Sequence, residues 1–214
     1  MSMIAGVLHL DRKAVKALRI TDPYSLHRVV YSLYTDVRDA KEKSGSQSSG
    51  ILYADQGGDH TGRRILLLAN RQPADVIDGE YGQVQSKAIP QEFLRHSQYR
   101  FKVIVNPTRR DSVSRKLLPV RGREDIAHWF SERGATSWGF LVSPEHLQID
   151  KIEVLQFKDK NQHTVTLAQA HVQGIFKVSD TELFHKSFTH GIGRGRSYGC
   201  GLLQIVPLID NPFA

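Results

Sequence analysis

The pattern of apolar and polar residues at the start of the chain predicts a strand followed by a helix. The segment "MIAGVLHL", residues 3–10, is short and apolar, as a strand would be. Thr21 or Asp22 can cap the helix that follows, and Pro23 suits its first position because proline lacks the N–H that stays unpaired there. An apolar stripe at helical spacing consists of Leu26, Val29, Val30, Leu33 and Val37. A second stripe of the same helix carries Tyr24, His27, Tyr31 and Tyr34.

The elements that follow complete a unit of six. A polar connector, "KEKSGSQSSG", leads to the apolar runs "ILYADQ" and "RRILLLAN", which predict a hairpin around "GGDHTG". The segment "PADVIDGEYG" predicts a short helix, and "QVQSKAI" predicts a closing strand. The order β-α-β-β-α-β is that of a ferredoxin-like, or RRM-like, domain, in which two helices pack on one face of a four-stranded sheet.

From Tyr99 the same order begins again. "YRFKVIVN" predicts a strand, which is followed by a basic loop, the strand "KLLPV" and the helix "REDIAHWFSERG". A hairpin of "KIEVLQFKD" and "TVTLAQAHVQGIFKV" precedes the helix "SDTELFHKSFTHG" and the strand "GLLQIVPL". We therefore predict an α+β protein of two tandem ferredoxin-like domains, residues 1–90 and 97–214, the second enlarged by a basic hairpin.

Length and composition agree with this organisation. The 214 residues, 40% of them hydrophobic, suffice for two small domains of about 100 residues each. No run approaches the roughly 20 apolar residues of a membrane span, and residues 1–10 lack the pattern of a signal peptide. Cys200 is the single cysteine, which excludes an internal disulfide and fits a reducing compartment. We expect a cytoplasmic protein with no membrane partner.

The histidines do not predict a metal site. His185 and His190 are five residues apart, whereas two ligands on one helix are three or four apart, and no HExxH or clustered carboxylate pattern appears. We expect neither a metal nor a cofactor. Trp129 and Trp138 are expected in the core rather than as stacking platforms for bases.

Positive charge is concentrated in one segment. The chain carries a net charge of +7, and residues 95–123 hold nine Lys or Arg against one acid, a local balance of +8. The rest of the chain therefore sums to −1. Such a segment is typical of a surface that binds a polyanion, and it also fits a loop kept soluble by its charges.

His27 is a candidate for proton transfer to or from RNA. The 2′-hydroxyl of RNA can attack the neighbouring phosphate once a base removes its proton, and this reaction needs in principle no metal. Histidine is the side chain whose unperturbed pKa lies nearest neutrality. His27 lies beside Tyr24 and off the apolar stripe, so we expect it to face solvent or substrate, although a surface imidazole with no role has the same pattern.

A glycine-rich segment near the other end of the chain is a candidate phosphate site. "HGIGRGRSYGCGLL" has five glycines within eleven residues, from Gly191 to Gly201, and Arg194 and Arg196 among them. A dinucleotide fingerprint follows a strand and opens a helix, whereas this segment follows a helix and leads into a strand. An ordinary turn remains the alternative.

The two motifs together resemble the CasE family, the CRISPR RNA-processing endoribonucleases of the type I-E Cascade complex. "DPYSLHR", residues 22–28, and "GIGRGRSYGCGLL", residues 191–203, carry the resemblance. It implies two tandem ferredoxin-like domains and a metal-independent cut by 2′-hydroxyl attack, which leaves a 2′,3′-cyclic phosphate and a 5′-hydroxyl. It further implies that the protein retains the mature crRNA, and that its partners are the CRISPR repeat stem-loop and other Cascade subunits.

The resemblance also implies roles for residues. His27 matches the catalytic histidine, and Tyr24 matches the tyrosine that accompanies it at the scissile phosphate. A basic hairpin of the family enters the major groove of the stem-loop, and the segment "NPTRRDSVSRKLLPV" is its candidate here. The lysine that assists catalysis in some members is not assigned, and Arg28 and Arg38 are only guesses for it. The expected RNA-binding residues are Arg109, Arg110, Arg115, Lys116, Gly191, Gly193, Arg194, Gly195, Arg196, Ser197 and Gly199.

Two other classes of function fit parts of the pattern. A non-catalytic double ferredoxin-like RNA-binding subunit would share the fold and the basic segment, but it would have no use for an imidazole at residue 27. A nucleotide-binding enzyme would use the glycine-rich segment alone.

Overall fold

The first sheet has the predicted order of strands. The computed structural model describes residues 3–36 and 49–208 of the chain. Four strands form this sheet: β1, Ile4–Asp11; β2, Ile51–Gly58; β3, Gly62–Ala69; and β4, Gln83–Ala88. They are antiparallel and lie side by side in the order β2-β3-β1-β4. The closing strand β4 therefore pairs with the first strand, as the split βαβ arrangement requires.

Two helices lie between β1 and β2 within the described residues. The short helix α1, Arg12–Ala17, was not predicted, and Asp11 caps it by accepting a hydrogen bond from the N–H of Ala14 at 2.6 Å. Helix α2 spans Pro23–Ser32, and its predicted cap is confirmed. The Asp22 carboxylate accepts from the N–H of Ser25 at 2.7 Å, and the Ser25 hydroxyl accepts from the N–H of Asp22 at 3.0 Å. These reciprocal bonds fix where α2 begins and so which of its residues face the core.

The predicted apolar stripe of α2 packs on the first sheet. Its members Leu26, Val29, Val30 and Leu33 are buried in one cluster with residues of β1, β2 and β3, whereas Val37 lies outside the described residues.

Tyr34 was predicted on the same face as His27, and this prediction is wrong. Helix α2 ends at Ser32, so the helical spacing does not extend to Tyr34, which is only 6% exposed and belongs to the core. Burial raises the pKa of Tyr34 to about 12, although the guanidinium of Arg71, 5.5 Å above the ring, acts in the opposite direction.

The prediction of a second helix in this unit, over residues 73–82, is also wrong. The segment forms a tight turn in which the N–H of Tyr81 donates to the carbonyl of Ile77 at 2.8 Å and the reverse bond is also 2.8 Å. Asp78 and Gly79 have φ values of 50° and 77°, and two successive left-handed residues are incompatible with an α-helix. One face of the first sheet is thus covered by α1 and α2 without a helix between β3 and β4.

The second sheet repeats the pattern with additions. Its strands are β5, Gln98–Val105; β8, Phe140–Leu141; β9, Gln148–Lys158; β10, Thr164–Val178; and β11, Gln204–Pro207. They lie in the order β11-β5-β10-β8, and β9 also pairs with β10. The helices α3, Arg123–Arg133, and α4, Thr181–His190, accompany this sheet. The predicted basic hairpin is a separate two-stranded sheet of β6, Thr108–Arg110, and β7, Leu117–Pro119.

Aromatic rings fill the core between the second sheet and its helices. The ring centroid of Phe140 lies 4.4 Å from that of Phe176, and Phe101 stacks on Phe130 at 5.4 Å. Trp138 is buried beside them, as predicted. Trp129 is half-buried at the edge of this core, and its indole N–H donates to the carbonyl of Thr108 at 3.1 Å. This tryptophan therefore ties α3 to the base of the basic hairpin.

The two sheets share an apolar cluster. Leu52 and Leu68 of the first sheet lie in the same cluster as Leu202 and Leu203, which precede β11. The last strand is shorter than predicted because these two leucines turn into the cluster rather than continue the strand. This packing brings α2 next to the segment between α4 and β11. The division into residues 1–90 and 97–214 stays a prediction.

Candidate active site

His27 projects from α2 onto the glycine-rich segment. Its Nδ1 lies 2.8 Å from the backbone carbonyl oxygen of Ser197, across 170 residues of sequence. A carbonyl can only accept a hydrogen bond, so Nδ1 carries the proton in this pair. In the neutral ring Nε2 therefore holds the lone pair, and it is the nitrogen that can accept a proton.

Three tyrosine rings surround the imidazole. The ring centroid of Tyr31 lies 4.0 Å from that of His27, and those of Tyr198 and Tyr24 lie at 6.0 and 6.2 Å. The Tyr24 ring is nearly parallel to the imidazole, with an angle of 20° between their planes. The hydroxyl of Tyr31 forms a 2.9 Å hydrogen bond with the hydroxyl of Ser49. The predicted pair of Tyr24 and His27 is therefore adjacent, within an aromatic wall that limits rotation of the imidazole.

The glycine-rich segment is a compact loop between α4 and β11, so the predicted order of helix, loop and strand is confirmed. Hydrogen bonds cross the loop from the N–H of Ile192 to the carbonyl of Gly201 at 2.9 Å and from the N–H of Tyr198 to the carbonyl of Gly195 at 2.8 Å. A third bond, 2.7 Å long, joins the N–H of Gly201 to the carbonyl of Ile104 in β5. The backbone of the loop is therefore held by the second sheet.

Some glycines of this loop are required by the packing of the fold, whether or not a ligand binds. Gly199 has a φ of 83°, and a Cβ added there would lie 3.2 Å from Cε2 of the buried Tyr53 ring. A Cβ at Gly193, by contrast, would meet nothing within 4 Å. Close approach of a phosphate to the backbone is thus sterically open at Gly193, whereas Gly199 is required by the packing of the loop itself.

The two arginines of the loop differ in their contacts. Arg196 donates from Nη1 to the carbonyl of His190 at 2.8 Å, which places its cation at the carboxyl end of α4. The backbone of Arg194 forms a bridge to Asn106, just before β6. Both side chains are exposed, as is that of Ser197.

A cleft of about 690 Å³ connects the loop to the base of the basic hairpin. Arginines line it from both sides, since Arg133 of α3 faces it together with Arg194 and Arg196. None of the lining residues within the described part of the chain is acidic. The cleft is therefore suited to an anion, and it begins at Ser197 and Tyr198, which also contact His27.

The basic hairpin exposes its cations. The side chains of Arg109, Arg110, Arg115 and Lys116 are all exposed. The turn between β6 and β7 is fixed by Asp111, which accepts hydrogen bonds from the N–H and the hydroxyl of Ser114, each at 2.7 Å. These bonds hold the pKa of Asp111 below its usual value. Arg110 also donates from Nη1 to the carbonyl of Arg115 at 2.7 Å, so its side chain braces the same turn.

Sequence reasoning missed Tyr53. This residue of β2 is 1% exposed, and its hydroxyl donates to the carbonyl of Ser197 at 2.9 Å, so it shares an acceptor with His27. Burial raises the pKa of Tyr53 well above its usual value. An apolar strand gives no sign of this role, because the acceptor lies 144 residues away.

The position of the β9–β10 hairpin beside the site is a second feature that sequence reasoning missed, although the hairpin itself was predicted. The rings of Phe157 and Tyr198 meet edge to face at 4.8 Å, and Leu155 and Val165 pack in the same cluster as Tyr24. Burial and, to a smaller extent, the charge of Asp159 raise the pKa of Tyr198. A hairpin tip that carries Lys158, Lys160 and His163 therefore adjoins the site.

Arg28 is exposed on α2, and Arg38 lies outside the described residues. Across residues 3–36 and 49–208, no cluster of three or more His, Cys, Asp or Glu is arranged to hold a metal ion. Each helix in those two ranges is too short or too polar to cross a membrane.

Comparisons with known proteins give a family and a fold. A family model described as "CRISPR associated protein" matches residues 4–207. Thermus thermophilus Cse3, bound to an RNA representing a pre-cleavage complex, is 20% identical with a TM-score of 0.78, and the match covers 97% of this chain and 100% of that one. A CRISPR endoribonuclease Cse3 bound to a 19-nucleotide RNA is 21% identical with a TM-score of 0.79 and the same coverage.

A third structure is that of a CRISPR RNA-guided surveillance complex before nicking. One of its chains is 22% identical with a TM-score of 0.67, and the match covers 97% of this chain and 100% of that one. Comparison with the curated proteins finds no match. The structural likenesses confirm the predicted fold of two tandem ferredoxin-like units.

Proposed function

The chain belongs to the family of CRISPR-associated proteins, and from that premise we propose that it is an endoribonuclease that cuts a CRISPR repeat stem-loop without a metal ion. The observation that carries the proposal is the contact of His27 with the Ser197 carbonyl. It places a titratable nitrogen of the first unit against the arginine-bearing loop of the second.

The chemistry follows from the protonation state of His27. With the proton on Nδ1, the Nε2 lone pair accepts the proton of a 2′-hydroxyl, and O2′ forms a bond to the neighbouring phosphorus. The bond from phosphorus to O5′ breaks, O5′ takes up a proton from solvent, and His27 returns the proton that it accepted to solvent. The products are a 2′,3′-cyclic phosphate and a 5′-hydroxyl, and no water is consumed. Tyr24, stacked beside His27, completes the proposed catalytic pair.

We assign RNA binding to the exposed cations of the cleft and the basic hairpin, and to the sterically open backbone at Gly193. The cleft with Arg194 and Arg196 would receive the phosphates near the cut, and the close approach at Gly193 is sterically free. The exposed cations of the basic hairpin would bind the stem-loop near a loop or a helix end, where the otherwise deep and narrow major groove is more accessible. If the RNA makes about six phosphate contacts, raising the salt concentration from 50 to 200 mM would weaken binding on the order of a thousandfold.

The proposed partners follow from the related structures. Those structures include Cse3 bound to RNA and a surveillance complex. We extend this to the present chain: it would bind the repeat RNA, keep the mature crRNA after the cut, and join other subunits of a Cascade complex.

The test is cleavage of repeat RNA in EDTA with identification of the product ends. His27→Ala should lower the single-turnover rate by at least about a hundredfold, since general base catalysis contributes about 10²–10⁴-fold, while the Kd for RNA changes by less than about twofold. His128→Ala is the matched control, because this histidine is exposed on α3 and outside the site. A 2′-deoxy nucleotide at the cut should stop the reaction.

The possible failures are distinct. Cutting by His27→Ala at the parental rate would reject His27 as the base. Cutting of the deoxy substrate would indicate a water nucleophile. Tight binding without cutting by the unmutated protein would favour the non-catalytic RNA-binding subunit.

A further inference from the structure

We infer that Tyr53 is a positioning residue, whose hydroxyl orients the Ser197 carbonyl so that His27 keeps its proton on Nδ1. The inference rests on the proposed function, because it concerns the nitrogen that acts as the base. Tyr53 would not touch the RNA, and its effect on the reaction would pass through the carbonyl and the imidazole.

The geometry behind this inference is a carbonyl with two donors. The Tyr53 hydroxyl lies 2.9 Å and the His27 Nδ1 lies 2.8 Å from the same oxygen of Ser197. A carbonyl oxygen has two lone pairs, so these two donors fill its capacity. Both donors belong to the first unit, one on β2 and one on α2, whereas the acceptor belongs to the second. The direction of the carbonyl is therefore set by two points of the first unit.

The carbonyl needs such a fixed support because of its surroundings in the loop. Ser197 lies in a single 3-10 turn, Arg196–Tyr198, flanked by Gly195 and Gly199 with φ values of 76° and 83°. Glycine has more accessible backbone conformations than other residues, so the orientation of the peptide groups in this turn depends on the contacts that hold them. His27 is only partly buried, whereas Tyr53 is fully buried, so Tyr53 is the more rigid of the two donors.

Tyr53 is well suited to act as a permanent donor. Burial raises its pKa well above the usual value for tyrosine, so the phenol stays protonated across the whole working range of pH. Its ring also lies directly under Gly199, which fixes the hydroxyl relative to the loop. An ionised phenolate in this position would accept rather than donate, and it would repel the carbonyl oxygen.

The matched pair of variants is Tyr53→Phe and Tyr99→Phe. Tyr99 is also fully buried, and its hydroxyl also donates to a backbone carbonyl, that of Phe93, at 2.8 Å. Each variant removes one buried hydroxyl and keeps the ring, but the Tyr99 hydroxyl also accepts from the N–H of His96 at 3.1 Å, so Tyr99→Phe should lose at least as much stability as Tyr53→Phe. Only Tyr53→Phe removes a donor from the acceptor of His27.

The closing experiment measures the tautomer of His27 and the rate of cutting on the full chain. Two-bond ¹H–¹⁵N spectra of histidine-labelled protein report which nitrogen carries the proton. In Tyr53→Phe the fraction of neutral His27 protonated on Nε2 should rise, and the single-turnover rate should fall about tenfold, equivalent to about 1.4 kcal/mol. The Kd for repeat RNA should stay within about twofold, and Tyr99→Phe should alter neither the tautomer nor the rate.

The outcomes separate this inference from the proposed function. An unchanged His27 tautomer in a folded Tyr53→Phe protein would overturn the inference whether or not the protein cuts RNA. A shifted tautomer in a protein that never cuts RNA would uphold the positioning by Tyr53 and reject the proposed function.

Discussion

Alanine at Gly199 should destabilise the protein more than alanine at Gly193, although the two glycines have similar backbone conformations. Their φ values are 83° and 68°, and a non-glycine residue in this region costs about 1–2 kcal/mol. This strain is common to both variants. The two positions differ in what a new Cβ would meet, because at residue 199 it would lie 3.2 Å from the Tyr53 ring and at residue 193 it would meet nothing within 4 Å.

The magnitude of the difference follows from the burial of Tyr53. The ring is 1% exposed and sits in the core of the first unit, so it cannot move away without disturbing its neighbours. Inserting a methyl group into such packing costs about 1–3 kcal/mol. For a chain of this length, 1 kcal/mol corresponds to about 2–4 °C in the thermal midpoint. Gly193→Ala should lower the midpoint by about 2–8 °C, and Gly199→Ala by a further 2–12 °C, roughly.

The assay is calorimetry of the full-length protein and both variants under one set of conditions, followed by single-turnover cleavage. Because the methyl group at residue 199 presses on the ring that supports the Ser197 carbonyl, Gly199→Ala should also slow cutting at temperatures far below its midpoint. Equal midpoints for the two variants would refute the reasoning, since they would show that Gly199 is needed for its conformation alone and that the contact with Tyr53 does not constrain the loop.

Two further predictions concern the start of the helix that carries His27 and the basic hairpin. Asp22→Ala should lower the free energy of unfolding by about 1 kcal/mol, because the N–H of Ser25 loses its acceptor, while Asp22→Asn should retain most of the stability; a full loss with Asn as well as Ala would point to the charge instead of the cap. Arg109→Ala combined with Lys116→Ala should reduce the slope of log Kd against log salt by about 1.8, the value for two phosphate contacts. The control, Arg12→Ala with Lys13→Ala, removes the same charge from exposed positions of α1, and an equal change of slope in the control would indicate attraction by net charge alone.

Local structure could be predicted from the sequence wherever one short segment contained all of the residues that interact. Asp22, Pro23 and Ser25 are neighbours, so the start of α2 could be predicted, as could the hairpins of alternating strands. The failures had two origins, one distant in sequence and one local. Tyr34 lies past the end of α2 and packs under Arg71, which follows β3. The left-handed pair at Asp78 and Gly79 turned an apparently helical segment into a tight turn.

The candidate site was predictable as a list of residues but not as an arrangement. His27 and the glycine-rich loop could be selected from their residue types. A histidine beside the apolar stripe of a helix is unusual, and so are two arginines among five glycines. The bond that joins them spans 170 residues and depends on how the two sheets pack through Leu52, Leu68, Leu202 and Leu203. No sequence pattern indicated the role of Tyr53, because a tyrosine in an apolar strand is a common core residue.

The arrangement explains why two similar units would be used for one site. Each unit alone supplies an incomplete set of groups: the first has an imidazole and a buried phenol, and the second has a carbonyl on a glycine-flanked turn beside a cleft with three arginines. The Ser197 oxygen links the two sets, because its two lone pairs are filled by donors from the first unit. A shift of one sheet against the other would therefore alter the geometry of both hydrogen bonds together. The protonation state of His27 would then respond to the packing of the shared leucine cluster, which is why substitutions in that cluster should affect cutting before they affect RNA binding.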